Sequence, residues 1–220
     1  MKLFEQIIDA TVAGDIDKCS SLARQVIDQG INPLEAIEKG YNRGMEIVGD
    51  KFSRMEYYLP ELMVCADAMK AALDVLKPHL GEGQEGGVQG TIVLGTIQGD
   101  LHDLGKNIVK TMLVASGFTV LDLGNDVPVR QFIDKAIDGN ADIIAASAIL
   151  TTTMAYMPDL SSLLNEVGKR ERLRIMVGGA PVTPDYAVEA GADGYGENAA
   201  EAVKTAKHLM QEKIKEVRND

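Results

Sequence analysis

Cysteine is scarce in this sequence. The two present, Cys19 and Cys65, both fall inside helical patterns and lack C-x-x-C spacing. They read as reduced thiols packed as small apolar groups, which fits a reducing cytoplasm. Basic charge is short as well: 22 Lys and Arg stand against 33 Asp and Glu, a net charge of −11. Residues 1–85 hold 9 basic and 15 acidic side chains (−6), and the remainder 13 and 18 (−5), so both halves are acidic and no basic stripe stands out. Phosphate binding needs clustered Lys and Arg, which argues against a nucleic-acid partner. No stretch approaches the ~18 apolar residues of a membrane span. The N-terminal MKLFEQIIDATVAGD has no sustained apolar core and carries acids early, unlike a signal peptide. The expectation is a cytoplasmic protein with no membrane partner.

What is present is ordinary for a folded chain. Hydrophobic residues make up 45% and charged residues 25% of the 220, which rules against disorder. That length allows one large domain or two small ones. Residues 81–90 (GEGQEGGVQG) hold five glycines in ten and read as a linker between halves of different character. The expected division is 1–85, a linker over 86–90, and 91–220.

The first half reads as helical. Apolar positions Leu3, Ile7, Ile8 and Val12 mark a first helix, and 16–29 a second ending at Gly30. Asn32-Pro33 opens a third, with Asn as cap and Pro in the first turn, running to about Val48. A fourth starts near Pro60 on the stripe Leu59, Leu62, Met63, Ala66, Met69, Leu73 and Leu76, and Pro78 closes it. Short connections between four helices predict a small antiparallel bundle.

The second half alternates. Strands are predicted at 91–97, 119–123, 141–147, 174–177 and 192–195. The intervening helices are predicted at 105–116, 128–138, 153–168 and 184–190, and the last at 198–216. Continuous apolar strands alternating with helices predict an α/β domain whose parallel sheet is covered on both faces. Five units in about 130 residues suit a flavodoxin-like (Rossmann-like) five-stranded sheet, order 2-1-3-4-5. Such sheets bind ligands at the carboxyl ends of their strands.

The loop after strand 1 reads Gln98, Gly99, Asp100, Leu101, His102, Asp103, Leu104, Gly105. Asp100 and His102 are two apart, so their side chains can meet. A carboxylate on one imidazole nitrogen fixes the tautomer and leaves the other free and more basic, as metal-ligating histidines commonly require. Gly99 and Gly105 let the backbone turn and admit something bulky. The plain alternative keeps His102 as a polar loop residue, with Asp100 or Asp103 as a helix cap. The only other histidines, His79 and His208, have no ligand cluster around them, against a zinc site. No G-x-G-x-x-G follows strand 1, against a dinucleotide loop.

Asp100-x-His102-x-x-Gly105 after a first strand resembles the cobalamin-binding signature of B12-dependent methyltransferases and mutases. A second motif, residues 147–153 (SAILTTT), ends strand 3, and a third, Gly178-Gly179, ends strand 4, in the family's order. The resemblance covers about residues 88–213. It implies that the cofactor's own base leaves the cobalt and threads beside the sheet, while His102 becomes the lower cobalt ligand. Asp100 is then its hydrogen-bond partner and Thr153 extends the relay, at a position where the family usually has Ser. Gln98, Gly99, Leu101, Asp103 and Gly105 join the binding loop, and Ser147, Ile149 and Thr151 the tail pocket. Gly178 and Gly179 make room for the base, or form an ordinary strand-to-loop turn. Asn198 and Ala199 border the nucleotide end.

Residues 49–62 (GDKFSRMEYYLPEL) resemble the helical cap beside the B12 domain of methionine synthase and of small corrinoid proteins. That implies Tyr58, Leu59 and Met63 as candidates for the upper face of the corrin, although Met or Tyr at helical spacing is commonly core. The whole chain is similar to corrinoid proteins of methanogen and acetogen methyltransferase systems, of the methylamine or methanol type. The implied function is a carrier subunit, not a complete enzyme. It would hold a corrinoid, as methylcob(III)alamin or cob(I)alamin, and move a methyl group from a methylated donor to a thiol or folate acceptor. The implied partners are a substrate-specific methyltransferase, an acceptor methyltransferase and a reductive activase, and the glycine linker would serve as hinge. A mutase small subunit and a B12-sensing regulator are the rival readings. The cap argues against the first, and the absence of a visible DNA-binding module in an acidic chain against the second.

Overall fold

The computed structural model describes residues 2–80 and 89–219. Of the expected glycine linker, residues 81–88 lie outside the described residues. The chain divides into two compact units, residues 1–89 with 114–117, and residues 90–113 with 118–220.

The first unit is helical. Helices α1 (Lys2–Val12), α2 (Ile16–Asp28), α3 (Pro33–Ala36), α4 (Asn42–Ser53) and α5 (Leu59–Leu76) follow one another through short turns. Asp15 caps α2 by accepting the Lys18 N–H, and Asn32 caps α3 by accepting that of Leu34. The third expected helix extends past Val48 to Ser53, and residues Ile37–Tyr41 between α3 and α4 widen into a π turn. Glycines let α1 come close to this stretch. A Cβ on Gly40 would stand 2.7 Å from Ile7, and one on Gly44 2.7 Å from Thr11. On α5 the buried positions are Leu62, Cys65, Ala68, Met69, Ala72 and Leu76. Of the expected stripe, Leu62, Met69 and Leu76 are buried, but Met63 is exposed and Ala66 and Leu73 are only partly buried: small residues, Cys65, Ala68 and Ala72, share the inward face.

The second unit is a five-stranded parallel sheet in the expected order β2-β1-β3-β4-β5. Its strands are β1 (Thr91–Thr96), β2 (Thr119–Asp122), β3 (Ile143–Ser147), β4 (Arg174–Gly178) and β5 (Gly194–Gly196). Between and after them run α6 (Leu104–Ala115), α7 (Val129–Asp138), α8 (Thr151–Met154), α9 (Met157–Glu166), α10 (Pro184–Glu189) and α11 (Ala199–Asn219). Alternation along the strands makes two faces. Val93, Ile144, Ile175 and Val177 pack with Phe132, Ile133, Leu160 and Leu164 of α7 and α9. Leu94, Ala145 and Met176 point to the other face, where α6 and α11 lie. The single helix expected over 153–168 is broken at Ala155–Tyr156. Pro158 has no N–H for the Met154 carbonyl, and the Tyr186 hydroxyl takes that place at 2.6 Å. No helix among the described residues is long and apolar enough to cross a membrane.

Phe132 is fully buried against Gly95, where an added Cβ would lie 2.8 Å from the ring. Phe132→Ala should lower stability by about 3–5 kcal/mol, read as a reduced urea midpoint with a near-native m-value.

Candidate functional site

The loops after β1 and β3 converge on one carboxylate, and the loop after β2 braces the backbone beside it. After Thr96 the chain turns through Gln98, which is half-buried, and Gly99, whose φ of +81° favours glycine. That turn buries Asp100 completely (0% exposed), and a buried carboxylate must find donors. Its Oδ1 accepts the His102 N–H at 3.0 Å and lies 2.7 Å from His102 Nδ1. Its Oδ2 accepts the N–H groups of Ile149 at 2.7 Å and Leu150 at 3.2 Å. Thr153 Oγ1 lies 3.0 Å from the same Oδ2 and 2.9 Å from the Leu150 carbonyl. With one proton, that hydroxyl donates to one of them at a time. Burial pushes the Asp100 carboxyl up. The N–H groups of Ile149 and His102, the imidazole and Thr153 outweigh it and hold the group well below the usual carboxylate range.

The imidazole is thereby oriented. Its Nδ1 is engaged by Asp100 while the side chain stays 53% exposed, which leaves Nε2 as the atom for a metal. Apolar side chains that water does not favour stand close by along the chain and on the loop that bonds Asp100. Leu101 and Leu104 flank His102 in sequence, Ile149 and Leu150 follow β3, and all four are exposed. Asp103 does not engage His102. Its carbonyl accepts the Asn107 N–H at 2.8 Å and starts α6, so it takes the cap position.

Several supporting groups were not legible beforehand. Asp126 Oδ1 accepts the Gly99 N–H at 2.7 Å, the Asp126 N–H reaches the Asp100 carbonyl at 2.9 Å, and Asn125 Nδ2 donates to the Leu101 carbonyl at 3.1 Å. Thr96, fully buried, donates to the His102 carbonyl at 3.0 Å. The only advance signal was the turn composition of residues 123–126 (LGND) after strand 2.

Beside this loop, on the α6/α11 face of the sheet, lies a cavity of about 390 Å³, within the range of small-molecule sites. Gly105, Ser147 and Ile149 line it, as do Gly178, Gly179, Asn198 and Ala199. Thr151 does not: it is exposed on the first turn of α8, because the chain turns after β3 to put Ile149 in the wall instead. The paired glycines answer first to the backbone. A Cβ on Gly178 would stand 2.6 Å from the Gly196 carbonyl oxygen, and one on Gly179, at φ +122°, 1.8 Å from that of Ala148. Tyr58 and Met63 are exposed on the helical unit, so neither belongs to its core.

A buried lysine forms part of the cavity wall. Lys106 is 2% exposed, and its Nζ donates to Asp122 Oδ1 at 2.8 Å and Asn107 Oδ1 at 2.7 Å. Lys110 reaches Asp122 Oδ2 at 3.0 Å. Burial raises the Asp122 carboxyl, but Lys106, the Gly124 N–H and Lys110 outweigh it and bring it down to about 2.

Among the described residues no group of three or more His, Cys, Asp or Glu could hold a metal ion. One oriented imidazole, an apolar surface around it and an adjoining apolar cavity fit a metal that arrives inside a macrocycle bearing an arm. A family model described as B12 binding domain matches residues 90–204, and a second with the same description matches residues 3–77. The dimethylamine corrinoid protein 2 of Methanosarcina acetivorans is 44% identical over 209 residues, covering 95% of this chain and 96% of the relative. The chain belongs to the B12-binding corrinoid proteins. This corrinoid protein is similar to a cobalamin-binding protein from Desulfitobacterium hafniense DCB-2, solved by crystallography at 1.5 Å. The TM-score is 0.72 at 34% identity, covering 94% of this chain and 98% of that one. It is also similar to the methanol:cobalamin methyltransferase complex MtaBC of Methanosarcina barkeri, with TM-score 0.78 and 30% identity, covering 99% and 84%. As a member of that family it binds a corrinoid cofactor.

The lowered Asp122 carboxyl makes a pH prediction. The unfolded chain holds this proton more tightly than the folded one, so its contribution is fully present above the ordinary value of 3.8 and lost as pH falls through about 2. Asp122→Asn should remove about 2 kcal/mol at neutral pH and flatten this part of the acid limb between pH 4 and 2, measured by urea unfolding across that range.

Proposed function

We propose that this corrinoid protein is a methyl carrier that holds its cofactor through His102 Nε2, with the cofactor's own base displaced into the cavity between α6 and α11. The observation that supports this reading is the 2.7 Å contact between His102 Nδ1 and the fully buried Asp100. A carboxylate with so many donors stays charged, fixes the imidazole's tautomer and orientation, and raises the basicity of the opposite nitrogen. Thr153, with a proton to give either Asp100 or the Leu150 carbonyl, adjusts the charge felt by the imidazole. Leu101, Leu104, Ile149 and Leu150 offer a dry seat for the flat macrocycle, and the cavity takes its arm, with Ser147, Gly178, Gly179, Asn198 and Ala199 along it. Once bound, the corrinoid supplies the cobalt that accepts and gives up the methyl group, and the protein supplies ligation, orientation and exclusion of water.

Residues 1–85 form the cap in this reading, 86–90 the linker and 91–220 the cofactor-binding domain, with Tyr58 and Met63 over the upper face of the ring. The similarity to a dimethylamine corrinoid protein and to a methanol:cobalamin methyltransferase complex supports a methylated amine or methanol as donor. A substrate-specific methyltransferase loads the carrier, a second transfers the methyl to a thiol or folate, and a reductive activase restores cofactor that has been oxidised. The setting is the cytoplasm.

Replacing His102 with Gly tests the ligation. In the cob(II)alamin form the wild type should show nitrogen superhyperfine splitting in its EPR spectrum, changed by ¹⁵N-histidine labelling. His102→Gly should lose both the splitting and the isotope effect while still taking up corrinoid. A spectrum unaltered by the substitution refutes the assignment. Asp100→Asn should keep the histidine ligand but weaken binding about 10- to 100-fold, the range found when a partner of a metal-bound histidine is removed.

A further inference from the structure

The cavity beside His102 has a floor made by one row of the sheet. Leu94, Ala145 and Met176 stand in register across β1, β3 and β4, and none is more than 3% exposed. Ile108 and Val109 of α6 and Ala202 of α11 form the sides. These six side chains present hydrocarbon and one thioether, and the strands' own N–H and C=O groups are committed to the parallel ladder. The polar groups stand elsewhere. The nitrogen of Lys106 is taken by Asp122 and Asn107, and Glu197 and Asn198 are exposed at the mouth. Ser147 sits two residues beyond Ala145 along β3, at the end of the strand. Going inward, the cavity thus changes from one hydroxyl near its rim to a floor without hydrogen-bonding side chains.

We infer that this cavity selects among corrinoids by their lower base, accepting benzimidazole- and phenol-type bases and discriminating against purines. The inference rests on the reading that the cavity takes the cofactor's displaced base. A dimethylbenzimidazole presents a hydrocarbon edge to the floor and keeps a single free ring nitrogen, which one hydroxyl, that of Ser147, can satisfy. A cresol base has no ring nitrogen. Adenine brings an exocyclic amine and several ring nitrogens, and against Leu94, Ala145 and Met176 these lose water and gain no partner. A buried polar group left unpaired reduces binding on the order of ten- to a hundredfold.

The test titrates the full-length apoprotein, by equilibrium dialysis read at the corrin absorbance, with four probes. They are cobinamide, which has no base, and the dimethylbenzimidazolyl, cresolyl and adeninyl cobamides. The dimethylbenzimidazolyl and cresolyl forms should bind within a few-fold of each other and at least tenfold more tightly than the adeninyl form. Ser147→Ala should weaken the dimethylbenzimidazolyl form and leave the cresolyl form unchanged. Met176→Gln, which places an amide at the floor, should narrow the gap to the adeninyl form, while Met176→Leu should keep it. Adeninyl cobamide bound as tightly as the dimethylbenzimidazolyl form overturns the inference and leaves the tail-binding reading standing. If no cobamide binds more tightly than cobinamide, the tail-binding reading itself fails and takes the inference with it.

Discussion

A single buried anion organises the corrinoid-binding unit. Asp100 has no exposure to water, and it remains charged because donors from the loops after β1 and β3 close around it. Each of those loops would otherwise be an irregular connection with unsatisfied backbone groups. Joined through the carboxylate, they position the imidazole relative to the cavity mouth. The loop after β2 adds a second brace through Asn125 and Asp126. Loss of the charge would therefore release the loops after β1 and β3 together, a larger effect than removing one hydrogen bond.

The parallel sheet gives this arrangement its location. β1 lies between β2 and β3, so the chain leaves it in one direction for α6 and returns on opposite faces, and the crevice forms where the connections part. The two faces of the sheet are built differently. Large aliphatic side chains and Phe132 fill the α7/α9 face. The α6/α11 face combines small residues with few large ones, Ala145, Ala202 and the glycines among them, and space remains there. The cavity is thus a consequence of side-chain volume on a regular scaffold.

The sheet order and most elements were legible in the sequence because strand runs and helical stripes are local signals. The Asp100–His102 pair was legible for the same reason: two side chains, two residues apart, in one loop. The donors that hold Asp100 were largely hidden, since the N–H groups of Ile149 and Leu150 have no side-chain signature and lie about fifty positions away. Lys106 and Asp122 each look like a solvated surface charge when read alone, and only folding brings them together. Thr151 does not line the cavity and Met63 does not join the buried face of α5, because a short loop and a crowded stripe each permit two readings. The helix break at Ala155–Tyr156 was signalled by Pro158, but the apolar pattern on either side masked it.

The Lys106–Asp122 contact has a mechanical consequence. An empty crevice walled by hydrocarbon tends to collapse, since closing it would remove apolar surface from water. Here the first turn of α6 is tied sideways to the end of β2 by a buried ammonium, and moving the helix inward over the sheet would pull that ammonium from its carboxylate. The tether works as a strut that sets the distance of α6 from the sheet, so the width of the crevice is fixed by a charge pair as well as by hydrocarbon packing.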